Sequence, residues 1–213
     1  MSITRRLIVR LKETLFKKPR IQWSQTDDES IIWRIPNESV PDVKNIGEIE
    51  VKEGQRAALY RGGVLATSFP PGVNRVVDDF DSAYLIDVTP KKRRVGIRAP
   101  DYPITKDNVS FGFSGDIIFR VMEDPTSIGN FISKVVSNKE DVSPRHISSW
   151  LRDGLLFQVF KELLADYTYE EFRSLDKLEL DMNLETKLGF DLKDYGIEVI
   201  SFEVKYYTEP KTF

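Results

Sequence analysis

The 213-residue sequence predicts an α+β fold: a mostly antiparallel twisted sheet with helices on one side, in two lobes, preceded by an N-terminal amphipathic helix. Three observations carry that prediction. Apolar residues alternate through most of residues 46–122, recur every third or fourth position from 125 to 194, and alternate again from Ile197 to Tyr206. Strands first, helices next and one strand to close is the order of an α+β domain, not of an alternating α/β one. The composition, 40% hydrophobic and 31% charged, is ordinary for a globular chain long enough for one domain or one domain in two lobes.

The first element is the leader. Ile3, Leu7, Leu11 and Leu15 recur every fourth residue and Ile8 falls on the same side, so residues 3–16 read as an amphipathic helix that Pro19 ends. Arg6, Arg10 and Lys17 flank one edge of the stripe, Arg5 and Lys12 the other, and Lys18 follows. Seven basic residues against Glu13 alone give residues 1–20 a charge of +6, which leaves −9 for the rest of a chain whose total is −3. A basic leader on an acidic body points to an anionic partner for the leader alone. The stripe would enter a headgroup region while the flanking basic side chains reach anionic lipid, each contributing about 1 kcal/mol. The plainer reading is a helix packed on the domain or on a protein partner.

Residues 21–45 read as an irregular lead-in, with an acidic patch at Asp27, Asp28 and Glu29 and an edge strand at Ile31–Ile35 before Pro36. Ile49, Val51, Ala57 and Leu59 then alternate with polar residues around a Glu53-Gly54 turn. Arg61-Gly62-Gly63 signals a hairpin into Val64–Phe69, and Pro70-Pro71-Gly72 another turn. Tyr84–Thr89 and Arg93–Ala99 read as a strand pair joined by Pro90-Lys91-Lys92. Val109–Met122 is the longest strand signal, with Gly112 and Gly115 as marks of a bulge or bend.

Asp124-Pro125 opens a helix. Ser143-Pro144 opens a stronger one, with Ile147, Leu151, Leu155, Val159 and Leu163 on its apolar face. A capping box of Thr168 and Glu171 opens a third, expected to run through Leu175, Leu178, Met182 and Leu188 towards Asp194. Gly196 stops it before the closing strand.

Chemistry is sparse. Without cysteine there is no disulfide, thiolate metal site or cysteine nucleophile, and a lone His146 removes most zinc and copper constellations. His146 has no serine nucleophile motif beside it and reads as an exposed helix residue. Asp78-Asp79-Phe80-Asp81 lacks the graded oxygen spacing of a calcium loop. Gly112-Phe113-Ser114-Gly115 lacks the Lys-Ser/Thr of a phosphate loop. The basic run Pro90–Arg94 reads as a charged hairpin tip, with a second contact to headgroups as the functional alternative. No aromatic side chains interleave it as a nucleic-acid platform would require. Trp150, Phe157 and Phe160 read as core. No catalytic residue, metal or cofactor is assigned. No run of eighteen apolar residues and no secretory signal is present, so the chain is expected to stay on the side of the membrane where it is made.

Four stretches, in this order, resemble the SPFH or Band 7 (stomatin, prohibitin, flotillin) domain. They are Ile49–Leu59, Gly62-Gly63 through Pro71-Gly72, Thr105–Val109 running into Gly115–Val121 and Asp124-Pro125, and Tyr195–Val199. Trp33-Arg34-Ile35-Pro36 is similar to a prokaryotic branch without a transmembrane anchor. Members usually carry an N-terminal apolar hairpin or span and a long C-terminal coiled coil. Here the basic leader stands in the first place and the sequence ends at Phe213.

The residues divide the chain into a leader (1–20) and a lead-in (21–45), and the resemblance implies an SPFH domain after them (46–213), with lobes at about 46–104 and 105–206. It implies a non-enzymatic peripheral scaffold on the inner, cytoplasmic face of the cell membrane, a homo-oligomer that organises membrane microdomains or membrane protein complexes. Its partners would be an anionic membrane surface, other copies of itself and a protein of unspecified identity, with no nucleic acid. The membrane-binding residues would be Ile3, Arg5, Arg6, Leu7, Ile8, Arg10, Leu11, Lys12, Leu15, Lys17 and Lys18. A soluble interaction module whose leader docks on a protein is the alternative, and an enzyme with an unrecognised carboxylate site a remote one.

Overall fold

Short alternating segments can bury one face each only by stacking, and this chain uses several small sheets rather than one large one. The computed structural model describes residues 19–23, 30–41, 43, 46–97, 102–137, 142–207 and 211–212. They belong to two compact units, one drawn from residues 1–89 and 121–143, the other from 90–120 and 144–213.

The first unit holds β1 (Arg20–Gln22), β2 (Ile32–Ile35), β3 (Glu48–Val51), β4 (Gln55–Arg61), β5 (Val64–Phe69), β6 (Gly72–Arg75) and β7 (Ser82–Asp87). They form a β1-β3-β6 sheet and a β2-β7-β4-β5 sheet. The β1–β3 pair is parallel and the others antiparallel. Ile21, Ile49 and Val51 from one sheet share a core with Trp33, Ile35, Ala57, Leu59, Ala83 and Leu85 from the other. The opposite face of the four-stranded sheet is buried too, at Ala58, Tyr60, Tyr84 and Ile86. Helix α1 (Pro125–Phe131) and a π-helical turn at Ile132–Val136 belong to this unit, and α1 packs on β4 and β5. A strand covered on both faces has no polar side to show, which is why the alternation expected at Ala57 and Leu59 gives way to the buried runs Ala57–Tyr60 in β4 and Ala83–Asp87 in β7.

In the second unit β10 (Phe113–Val121) lies between β8 (Lys91–Ile97) and β11 (Ile197–Tyr207), while β9 (Val109–Ser110) pairs with β12 (Lys211–Thr212). The helices are α2 (Pro144–Leu151), α3 (Phe157–Ala165), α4 (Tyr169–Arg173) and α5 (Lys177–Lys193). Burial alternates through all nine residues of β10.

Four expectations change. First, β7 and β8 are not partners: β7 lies between β2 and β4, and β8 pairs with β10. Asp87 explains the parting, because its Oδ1 accepts from the N–H (2.8 Å) and hydroxyl (2.6 Å) of Thr89. That side-chain turn leads the chain out of the first sheet. Second, the β8–β10 register runs unbroken from Phe113↔Ile97 to Phe119↔Lys91, so Gly115 marks no bulge. Third, a π-helical turn at Arg152–Leu156 adds a residue to the stronger helix, and the buried series runs Ile147, Leu151, Leu156, Phe160, Leu164 with Leu155 only half-buried. Fourth, the stretch from Thr168 to Asp194 is two helices. The capping box at Thr168 and Glu171 forms, but Asp176 starts a new helix by accepting from the N–H groups of Leu178 (2.9 Å) and Glu179 (3.2 Å).

Candidate functional site

The residues that look most like motifs are occupied in holding the chain together. Thr105 donates its hydroxyl to Asp107 (2.6 Å) and accepts the N–H of Val109 (3.1 Å). Asn108 takes a left-handed conformation, φ 62°, to close that turn. Asp107 Oδ1 then accepts from the N–H of Tyr169 (3.0 Å), the first residue of α4, and Lys106 donates its N–H to the carbonyl of Tyr167 (2.9 Å). The hydroxyl of Thr105, and then the N–H of Tyr169, hold the Asp107 carboxyl below the usual carboxylate range. Asp124 plays the same part for α1: it caps the helix by accepting from Ser127 N–H (3.0 Å), with Pro125 at the first position. Ser127, through its hydroxyl and then its backbone, lowers the Asp124 carboxyl likewise.

Three glycines admit close neighbours, and at Gly96 a Cβ would stand 2.7 Å from the carbonyl oxygen of Phe113. A Cβ on Gly115 would stand 2.6 Å from the carbonyl oxygen of Glu203 in β11. Gly54, with φ 77°, faces the Thr89 methyl at the same distance. Gly196, φ 73°, turns the chain from α5 into β11.

The proposed membrane-binding residues Ile3, Arg5, Arg6, Leu7, Ile8, Arg10, Leu11, Lys12, Leu15, Lys17 and Lys18 lie outside the described residues. The basic run is not a hairpin tip. Lys91–Arg94 begins β8, where Lys91 is buried, and Lys92 and Arg94 stand exposed with Asp116 between them at 3.4 Å and 3.6 Å. His146 is exposed in the first turn of α2, and Asp78, Asp79 and Asp81 are exposed in a loop around buried Phe80. Phe160 is fully buried and stacks on Phe113, while Phe157 and Trp150 are half-buried, Trp150 edge-on to Tyr195. Among the described residues no three His, Cys, Asp or Glu side chains are grouped to hold a metal ion. Burial pushes the Tyr60 phenol up to about 12, with help from Tyr84.

The surface that sequence reasoning missed is the outer side of α5. Leu178 and Met182, expected on its apolar face with Leu188, are 68% and 60% exposed, and Phe190 is 81% exposed. The buried side chains are Leu180, Leu184, Leu188 and Leu192, which face β11. Both sets recur at four-residue spacing. The second series, 178-182-186-190, was visible in the sequence as a duplicate of the first.

The chain belongs to the SPFH domain / Band 7 family, whose pattern matches residues 49–213. It is similar to a stomatin homolog of Pyrococcus horikoshii and to one of Pyrococcus abyssi. Each is 24% identical over 155 residues, which cover 73% of this chain and 52% and 51% of those proteins. The chain therefore spans about half the length of the relatives it matches. No helix among the described residues is long and apolar enough to cross a membrane.

Proposed function

We propose that this chain is a peripheral membrane scaffold: residues 3–18 lie in the surface of an anionic membrane, and the SPFH body associates with further copies to organise membrane microdomains or membrane protein complexes. The reading is carried by the charge division, +6 in residues 1–20 against −9 in the remainder. An acidic body is repelled by an anionic surface that its leader attracts, so attachment is confined to one end and the body stands clear for lateral contacts. Family membership supports it, as does the use of the Thr105–Val109 and Asp124-Pro125 motifs as fold-holding turns rather than as chemistry. The role is assembly, without catalysis, on the cytoplasmic face.

Co-sedimentation tests it. The full chain and a version lacking residues 1–20 are spun with phosphatidylglycerol-containing and neutral phosphatidylcholine vesicles at low and high salt. Binding that needs the leader, needs anionic lipid and weakens with salt is the expected result. If neither version binds, the membrane anchor fails and the leader becomes a protein-docking helix.

A further inference from the structure

We propose that the outer face of α5 is a self-complementary docking surface on which a second copy of this chain lies antiparallel, its two-fold axis passing by Thr186. The proposal rests on the reading above that copies associate, and adds where they touch.

Three observations place the partner. Leu178, Met182 and Phe190 are the large apolar side chains of this face, and they are exposed while four leucines of the same helix fill its buried side. Thr186 and Gly189 between them are small, and a Cβ on Gly189 would meet nothing within 4 Å, so another helix can approach closely there. The charges are matched end to end. Glu179 near the start and Lys193 at the end of α5 are exposed, and neither has an ion-pair partner among the described residues.

Five of these positions fit one geometry. Met182 and Phe190 lie equally far on either side of Thr186, and so do Glu179 and Lys193. An antiparallel partner centred there sets each Met182 against the other copy's Phe190, a sulfur–aromatic contact. It also sets each Glu179 against the other copy's Lys193. The contact is isologous and closes as a pair. A bilayer is a poorer occupant, because α5 carries four acidic side chains against three lysines where a membrane-lying helix needs a basic border. A single pair of helices about 25 Å long makes a small interface, at the low end of protein contacts. The association is therefore weak in dilute solution and strengthens when membrane attachment concentrates the copies.

The absence of cysteine makes the test clean. Full-length Thr186→Cys, oxidised on phosphatidylglycerol-containing vesicles, should form a disulfide dimer at least about tenfold faster than Lys187→Cys, whose position lies off the face. Glu179→Lys and Lys193→Glu should each weaken self-association by about tenfold in sedimentation velocity, and an equimolar mixture of the two should restore it. That recovery follows because each lysine then meets a glutamate at both ends. Thermal melts keep the comparison to variants that fold. Cross-linking no faster at 186 than at 187, or no recovery in the mixture, overturns the α5 surface. If the wild-type chain still sediments as an oligomer in that case, self-association itself stands. A chain that is monomeric at every concentration, with and without vesicles, overturns both.

Discussion

Two helical runs of the second unit are made of similar material and used differently. In Pro144–Ala165 the apolar side chains are spent inward: Ile147, Leu151, Leu156, Val159, Phe160, Leu163 and Leu164 are all buried, and none of the run's large apolar side chains is strongly exposed. To achieve this the run gives up its regular register at the π-helical turn 152–156. Helix α5 keeps its register for 17 residues and buries only one of its two apolar series. The first run bends its backbone to serve the core. The second has more apolar surface than the core takes, and that surplus is the face proposed above to receive a second copy.

The contrast can be broken most forcefully within α5. Leu188→Ala, at a fully buried position, should cost about 2–5 kcal/mol in urea unfolding. Phe190→Ala two residues on should stay within about 0.5 kcal/mol when measured dilute. Equal losses at both would mean that Phe190 is packed, and the two-series account would fail.

Next comes the sheet that α5 covers. Gly115→Ala puts a methyl 2.6 Å from the Glu203 carbonyl, so β10 and β11 must part, at about 1–3 kcal/mol. An unchanged midpoint would show that this approach is not tight.

A helix cap gives a smaller effect with a pH signature. Asp124→Ala should cost about 1 kcal/mol at neutral pH. Because the folded-state carboxyl sits below its unfolded value of about 3.9, its contribution is complete above that pH and fades as pH falls through the folded value. The gap between wild type and variant should therefore close in acid. A gap that persists at pH 2 would rule out the carboxylate as its source.

The smallest effect is a gain. Gly189→Ala, in open space on α5, should stabilise the chain by about 0.5–1 kcal/mol through helix propensity alone. A loss there would mean that something already covers the face.

How far the sequence could be read divides along the same line. Local signals succeed: the Gly62-Gly63 hairpin, the Asp124-Pro125 and Thr168 caps and the alternation of β10 each depend on residues a few positions apart. Pairing depends on distant ones, so β7 and β8 read as a hairpin although Asp87 and Thr89 turn the chain away. The π-helical turn leaves no mark in a four-residue period except that Leu155 and Leu156 are both apolar and either can be inside. Leu178 and Met182 have the spacing of core residues, and only the position of β11 decides that Leu180 and Leu184 win. The SPFH motifs were legible as a pattern and Asp124-Pro125 as a helix start, but the tie from Asp107 to the N–H of Tyr169 joins residues 62 positions apart and leaves no local mark. The leader's chemistry rests on its sequence.

Copies meeting at an anionic surface are the centre of the proposed function, and energy transfer between them measures that directly. Full-length chains carrying a donor or an acceptor on Asp78→Cys, in an exposed loop, are mixed at a surface density too low for transfer between non-interacting molecules. Transfer that appears on anionic vesicles, falls on addition of unlabelled chain and vanishes in high salt is the predicted result. Chains that bind those vesicles yet show no transfer above that of random proximity would contradict a scaffold built by self-association.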